Sequence, residues 1–169
     1  MGKKPLVILE EDHERFRAIL DEVRDESNAM LVFLLDKNGQ QIAVSGELEG
    51  VDLTALASLA AGNVAATEGL GDVLGERRFQ NLYHEGERAS LYLTLVRNKL
   101  IMLIVFNHES SLGLVRLRVD ERGDQLIEAL DTVLERGTAG NEAKVDANTA
   151  ARGEQLNQIT DEDIDALFG

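Results

Sequence analysis

The side chains able to do chemistry are few and scattered. Three histidines, His13, His84 and His108, lie far apart with none of the short spacings that let a helix or turn present two imidazoles to one metal ion. The chain has no cysteine, which removes thiolate ligands, thiol nucleophiles and disulfides together. Arg77 and Arg78 form a guanidinium pair of the kind that stabilises charge in phosphoryl transfer, but a solvated surface pair is the plainer reading. Two carboxylate pairs, Asp12 with Glu14 and Asp124 with Glu128, would need a shared pocket to divide acid and base roles. Nothing in their spacing supplies one, and they read as ordinary exposed helix positions. No phosphate-binding loop, dinucleotide fingerprint or nucleophile elbow is present. The expectation is a binding protein with no catalytic, cofactor-binding or metal residues.

The elements that would position any binding surface can be read from periodicity. Residues 11–28 carry Phe16, Ile19, Leu20 and Val23 at helical spacing among charges, an amphipathic first helix. Residues 30–36 form an apolar run too short for a helix; Lys37, Asn38 and Gly39 supply turn chemistry before residues 41–45, giving a β-hairpin. Asp52 or Thr54 can cap a second helix that reaches about Leu74 and stops at Gly75. Residues 77–85 are the weakest strand pattern. Residues 90–97 and 100–107 make a second hairpin around Arg97, Asn98 and Lys99. Ser110 and Ser111 can cap a last helix carrying Leu112, Val115, Val119, Leu126, Leu130, Val133 and Leu134 on one face to about Arg136. The order α-β-β-α-β-β-β-α, with short connections, implies an α+β fold with a five-stranded antiparallel sheet and helices on its faces.

Two features of this layout call for a partner. The second helix carries many small residues. Leu56, Ala60, Thr67, Leu70 and Leu74 cluster on one side, assigned to the sheet, while Ala57, Ala61, Ala65 and Gly69 recur every four residues roughly 160° away. That small-residue strip reads as a flat docking surface; the alternative is that alanine merely favours helix on an exposed face. After Gly137 the composition turns to Ala, Asn, Gly and charge, which reads as a flexible linker over 137–157. Residues 158–169 regain a pattern: Thr160 can cap a short helix with Asp161, Glu162 and Asp163 in its first turn and Ile164, Leu167 and Phe168 on one face. Such a helix is marginal alone and gains order when something receives its apolar side, either a partner or its own domain. The division expected is therefore 1–136, 137–157 and 158–169.

Totals narrow the function class. At 169 residues with 44% hydrophobic content the chain can bury one sizeable core. A formal charge of −14 repels a phosphate backbone and excludes nucleic acid as a partner, while favouring an electropositive protein surface or simply solubility. No apolar run has the length of a membrane span, and the stretch before Glu10 is too short for a leader's apolar region, so neither export nor membrane insertion is expected and the plain compartment is the cytoplasm.

Several stretches carry a family resemblance. Val32-Phe-Leu-Leu-Asp-Lys-Asn-Gly39, Leu56-Ala-Ser-Leu-Ala-Ala-Gly-Asn-Val-Ala-Ala66, residues 79–86, Ser110-Ser-Leu-Gly-Leu-Val-Arg-Leu-Arg118 and the tail Ile159-Thr-Asp-Glu-Asp-Ile-Asp-Ala-Leu-Phe168 resemble the bacterial roadblock family, of longin-like or profilin-like fold, whose members partner Ras-like small GTPases. The likeness spans nearly the whole chain apart from the linker. It implies a homodimer whose sheets join edge to edge and whose paired second helices form a platform for one GTPase. By matching position the resemblance assigns Ala57, Ala61, Ala65, Gly69 and Asp72 to that platform. It also implies acceleration of GTP hydrolysis without an inserted arginine, by binding the GTPase conformation whose own catalytic residues are in place. Ile164, Leu167 and Phe168 would take part in nucleotide exchange, and the setting would be the control of cell polarity and motility, with enrichment at a cell pole. Glu68 departs from the small residue the family places beside Gly69. The competing readings are a scaffold subunit of a polarity or motor complex without effect on GTP turnover, and a sensory domain binding a small ligand, for which few polar groups converge in an apolar cavity.

Overall fold

A computed structural model describes residues 7–76 and 79–156, with side chains as far as Thr138. In order, the elements are α1 (Glu10–Ser27), β1 (Leu31–Asp36), β2 (Gln41–Gly46), α2 (Leu53–Leu74), β3 (Asn81–His84), β4 (Ser90–Val96), β5 (Leu100–Phe106) and α3 (Leu112–Leu156). This is the predicted succession α-β-β-α-β-β-β-α. All strand pairs are antiparallel and the sheet order is β2-β1-β5-β4-β3. The two hairpins are local, as their turns foretold, whereas β1 lies beside β5 with Leu31 opposite Val105 and Leu35 opposite Ile101. Strand β3 is shorter than its sequence pattern, which fits the weakness of that pattern.

Alternation along the central strands divides the core in two. Leu31, Phe33 and Leu35 point with Ile101, Leu103 and Val105 toward α2, packing on Ala57, Ala60, Ala61 and Val64. The opposite face is covered by α1 and the first part of α3. There Asp21 of α1 accepts a hydrogen bond from Ser45 of β2, and Arg122 of α3 ion-pairs with Glu22 at 3.2 Å and with Glu26. Phe16, Ile19, Leu20 and Val23 are buried as their spacing requires, as are Val115, Val119, Leu126 and Leu130. Ser110 of the β5–α3 connection donates to the carbonyl of Ser27, tying the start of one covering helix to the end of the other.

Local chemistry sets the element ends. Asp12, expected to be exposed, is instead buried and accepts from the backbone N–H of Leu9 at 2.9 Å, satisfying a donor at the start of α1, and Asn28 ends that helix in the left-handed conformation at φ 52°. Helix α2 begins at Asp52, whose carboxylate accepts from the backbone N–H groups of Thr54 at 3.0 Å and Ala55 at 3.1 Å. It ends at Gly75, φ 68°, with the N–H of Glu76 reaching the carbonyl of Gly71 at 2.9 Å. The β1–β2 turn is held by Asp36 Oδ1, which accepts from the N–H groups of Asn38 and Gln40, each at 2.8 Å.

Residues 8–130 form one compact unit, and 131–156 belong to a second. In the second unit the backbone is helical to Leu156, where composition predicted a linker from 137. Alanines at 139, 143, 147, 150 and 151, set among Glu, Lys and Arg with no proline, favour local helix although large apolar residues are scarce there.

Candidate functional site

The surface most in need of a partner lies on α2, because the helix is apolar nearly all round and its own sheet covers only one side. Buried along the sheet side are Ala57, Ala60, Ala61, Val64, Thr67 and Gly71. On the other side Leu59, Leu70, Val73 and Leu74 are 73%, 59%, 84% and 70% exposed. Exposed Ala55, Leu59, Gly62, Ala66, Gly69 and Val73 recur at alternating steps of four and three residues. That repeat keeps side chains in one seam along a helix and is the pattern that receives a second helix or a flat protein face. A Cβ built at Gly62 or Gly69 meets nothing within 4 Å, so no neighbour among the described residues requires a glycine at either position. Each glycine costs a helix interior about 1 kcal/mol relative to alanine, a cost that close approach of another backbone would offset.

The sequence-predicted strip divides here. Ala65, Gly69 and Asp72 are exposed. Ala57 and Ala61, predicted to face a partner, are 2% and 7% exposed and belong to the chain's own core against the sheet. The correction has a geometric cause. Steps of four residues advance roughly 40° around a helix, so the strip from 57 to 69 winds from the sheet to the solvent instead of staying on one face. By the same rotation Leu70 and Leu74, predicted to meet the sheet, stand in solvent. The seam formed by Leu59, Gly62, Ala66 and Val73 was missed, although its alternating spacing was present in the sequence. Ile164, Leu167, Phe168, Arg77 and Arg78 lie outside the described residues.

Charge flanks this face. Lys37 of the β1–β2 turn ion-pairs with Glu68 of α2 and hydrogen-bonds Asn98 Oδ1 at 3.1 Å. His84 Nε2 meets Asn63 Nδ2 at 3.0 Å, and His13 Nδ1 meets the carbonyl of Ile42 at 2.7 Å, so two of the three histidines serve local structure at distant places. On the opposite face Tyr92 has its phenol pushed above the ordinary range, chiefly by burial and against the pull of the Arg116 guanidinium, with Asp120 adding to the rise. Among the described residues no group of His, Asp and Glu could hold a metal ion. A concavity of about 570 Å³ at the end of α1, lined by Arg24, Asp25, Asn28, Ala29, Met30 and Glu109, is open and polar, unlike the enclosed apolar pocket a small ligand uses. No described helix is long and apolar enough to cross a membrane.

Comparison with known proteins fits this geometry. The Roadblock/LC7 domain matches residues 16–106. MglB of Myxococcus xanthus is 43% identical, with 76% of this chain and 96% of that one covered and a TM-score of 0.70. The gliding protein MglB of Thermus thermophilus is 32% identical over 78% of this chain and 99% of its own, with a TM-score of 0.69. An MglB solved in a tetrameric arrangement is 31% identical over 78% and 99%, with a TM-score of 0.70. A search of curated proteins gave no match. With the matched domain covering more than half of the chain and these structures above 30% identity over most of it, the chain belongs to the Roadblock/LC7 family.

Proposed function

We propose that this protein is a homodimeric activator of GTP hydrolysis by a Ras-like small GTPase of the MglA type, acting in the control of cell polarity and motility. The observation that carries the reading is the exposed apolar seam of α2, with two glycines that no neighbour among the described residues requires, on a chain 43% identical to an MglB. The docking body is residues 1–136, and Ala65, Gly69 and Asp72 stand beside the seam. The protein is a regulator and supplies no catalytic group. It works by binding one arrangement of the GTPase more tightly than the others, and the gain in rate is limited by that difference in affinity. Stimulation by about a hundredfold requires a preference of about 2.7 kcal/mol.

The dimer is proposed to join sheets through β3, one of the two edge strands. The other edge, β2, is bulged where Leu34 pairs with Ala43 but Leu35 with Gln41, and its Ile42 carbonyl is engaged by His13. Bulges and capped carbonyls hinder strand addition. The terminal segment 158–169, through Ile164, Leu167 and Phe168, is assigned to nucleotide exchange on the same GTPase.

Single-turnover GTP hydrolysis by a cognate Ras-like GTPase, with and without the purified protein, tests the reading. Faster phosphate release supports it. Binding without acceleration moves the protein to a scaffold role. Removal of residues 158–169 should alter nucleotide release while leaving hydrolysis stimulated; if neither release nor hydrolysis changes, the tail's assignment falls.

A further inference from the structure

Glu68 sets a problem for a docking face built on α2. It directly precedes exposed Gly69, lies one helical turn from Ala65 and Asp72, and is itself partly exposed. A carboxylate at the edge of a surface that must shed its water opposes association unless it is paired, because removing an unpaired charge from water is far more costly than removing a compensated one. Asp72, four residues on, adds a like charge on the same side of the helix.

The structure answers with a cation from outside the helix. Lys37 reaches from the β1–β2 turn to the Glu68 carboxylate, while its ammonium also donates to Asn98 Oδ1 at 3.1 Å in the β4–β5 turn. Its side chain is only 19% exposed. The base of this reach is fixed. Asp36 holds the turn through two backbone N–H groups, and Gly39, φ +84°, lies so close to α2 that a Cβ would stand 3.1 Å from the Ala57 carbonyl oxygen. Asn98 is fixed too, in the left-handed conformation at φ 54°. Two hairpin turns thus converge on one acidic side chain of the helix.

We infer that Lys37 is a positioning residue for GTPase docking, clamping the Glu68 carboxylate down beside the turns so that the face at Ala65 and Gly69 is flat and Glu68 adds no uncompensated charge to it. The inference rests on the GTPase-docking reading above. It also describes the partner: the GTPase surface that settles beside Glu68 fits closely and supplies no cation to it, since the cation that Glu68 needs is already supplied in cis. Without Lys37 the freed carboxylate would be desolvated alone or would swing over the open space at Gly69, and either outcome opposes close approach.

The test uses the full chain and a cognate Ras-like GTPase loaded with a non-hydrolysable GTP analogue, with Kd measured by titration and folding checked by urea unfolding. Lys37→Met should weaken binding about tenfold, in the range expected when one member of a partly desolvated charge pair is removed. Adding Glu68→Gln to that variant should return Kd to within about twofold of the parent, because the uncompensated charge is gone. Lys37→Gln, which keeps a donor for Asn98 but no charge, should lose binding as Lys37→Met does. A lowered urea midpoint with Kd of the folded protein unmoved, or no rescue by Glu68→Gln, overturns the clamp. Loss of the fold in both Lys37 variants also overturns it, by making Lys37 a folding residue. If the unaltered chain neither binds nor stimulates the GTPase, the docking reading falls and the clamp with it. Binding by the unaltered chain with no effect of Lys37→Met removes the clamp alone.

Discussion

Two alanines four residues apart on α2 should respond oppositely to the same substitution. Ala65 is exposed, and an arginine there keeps good helix propensity and buries nothing, so stability should move by no more than about 0.5 kcal/mol. Ala61 is 7% exposed and packs in the cluster that contains Phe33, Leu103 and Val105. An arginine there must overfill a close-packed layer, at about 1–3 kcal/mol, and hold a guanidinium in it without a partner, at several kcal/mol more. The sum approaches the roughly 5–15 kcal/mol that holds a domain together. Urea unfolding followed by far-ultraviolet circular dichroism, alongside single-turnover GTP hydrolysis, separates the two. Ala65→Arg should unfold at the parent's midpoint yet lose stimulation by about tenfold or more, since its side chain stands where a partner at a helix-packing distance of about 8–10 Å would sit. Ala61→Arg should lose both fold and stimulation. Normal stability of Ala61→Arg would refute the placement of α2 on the sheet. Undiminished stimulation by Ala65→Arg would refute the docking face.

Three further expectations follow from named contacts. Asp52→Ala removes the acceptor for two backbone N–H groups at the start of α2 and should cost about 1 kcal/mol in urea unfolding, with Asp52→Asn retaining most of it. Gly39→Ala forces a side chain onto a positive φ and against the Ala57 carbonyl, so it should destabilise by about 1 kcal/mol or more; an unchanged midpoint would show that the turn does not rest on α2. In a Tyr83→Phe background the remaining tyrosine, Tyr92, should ionise above the ordinary phenol value of 10.0 when followed by ultraviolet absorbance. Below that value the phenol is protonated in folded and unfolded chains alike. Above it the unfolded chain releases its proton first, so stability should fall as pH climbs toward the folded value, and Tyr92→Phe should remove that part of the fall.

The predicted division of secondary structure was legible because each signal was local. The β1–β2 turn needs Asp36, Asn38 and Gly39 close in sequence, and the burial of Phe16, Ile19, Leu20 and Val23 follows from one helical repeat. The end of α3 was misjudged at about Arg136 because scarcity of large apolar residues argues against burial, not against helix. Two of the five platform residues, Ala57 and Ala61, were misplaced for a related reason. A helix wheel fixes angles between residues but not which angle meets the sheet, and with alanine or glycine on every side of α2 the pattern lacked the contrast to choose.

From the chain alone come the order of elements, the two hairpins, the α2 caps and the absence of a motif for catalysis, since these depend on neighbours within a few residues. Tertiary packing alone decides that β1 lies against β5, that Ala57 and Ala61 are core while Leu59 and Val73 face out, and that Lys37 meets Glu68 and Asn98. Those outcomes set residues far apart in sequence against one another, and the rotation of α2 is chosen by how its small side chains fit beneath Phe33 and Leu103, a matter of shape that no local repeat encodes.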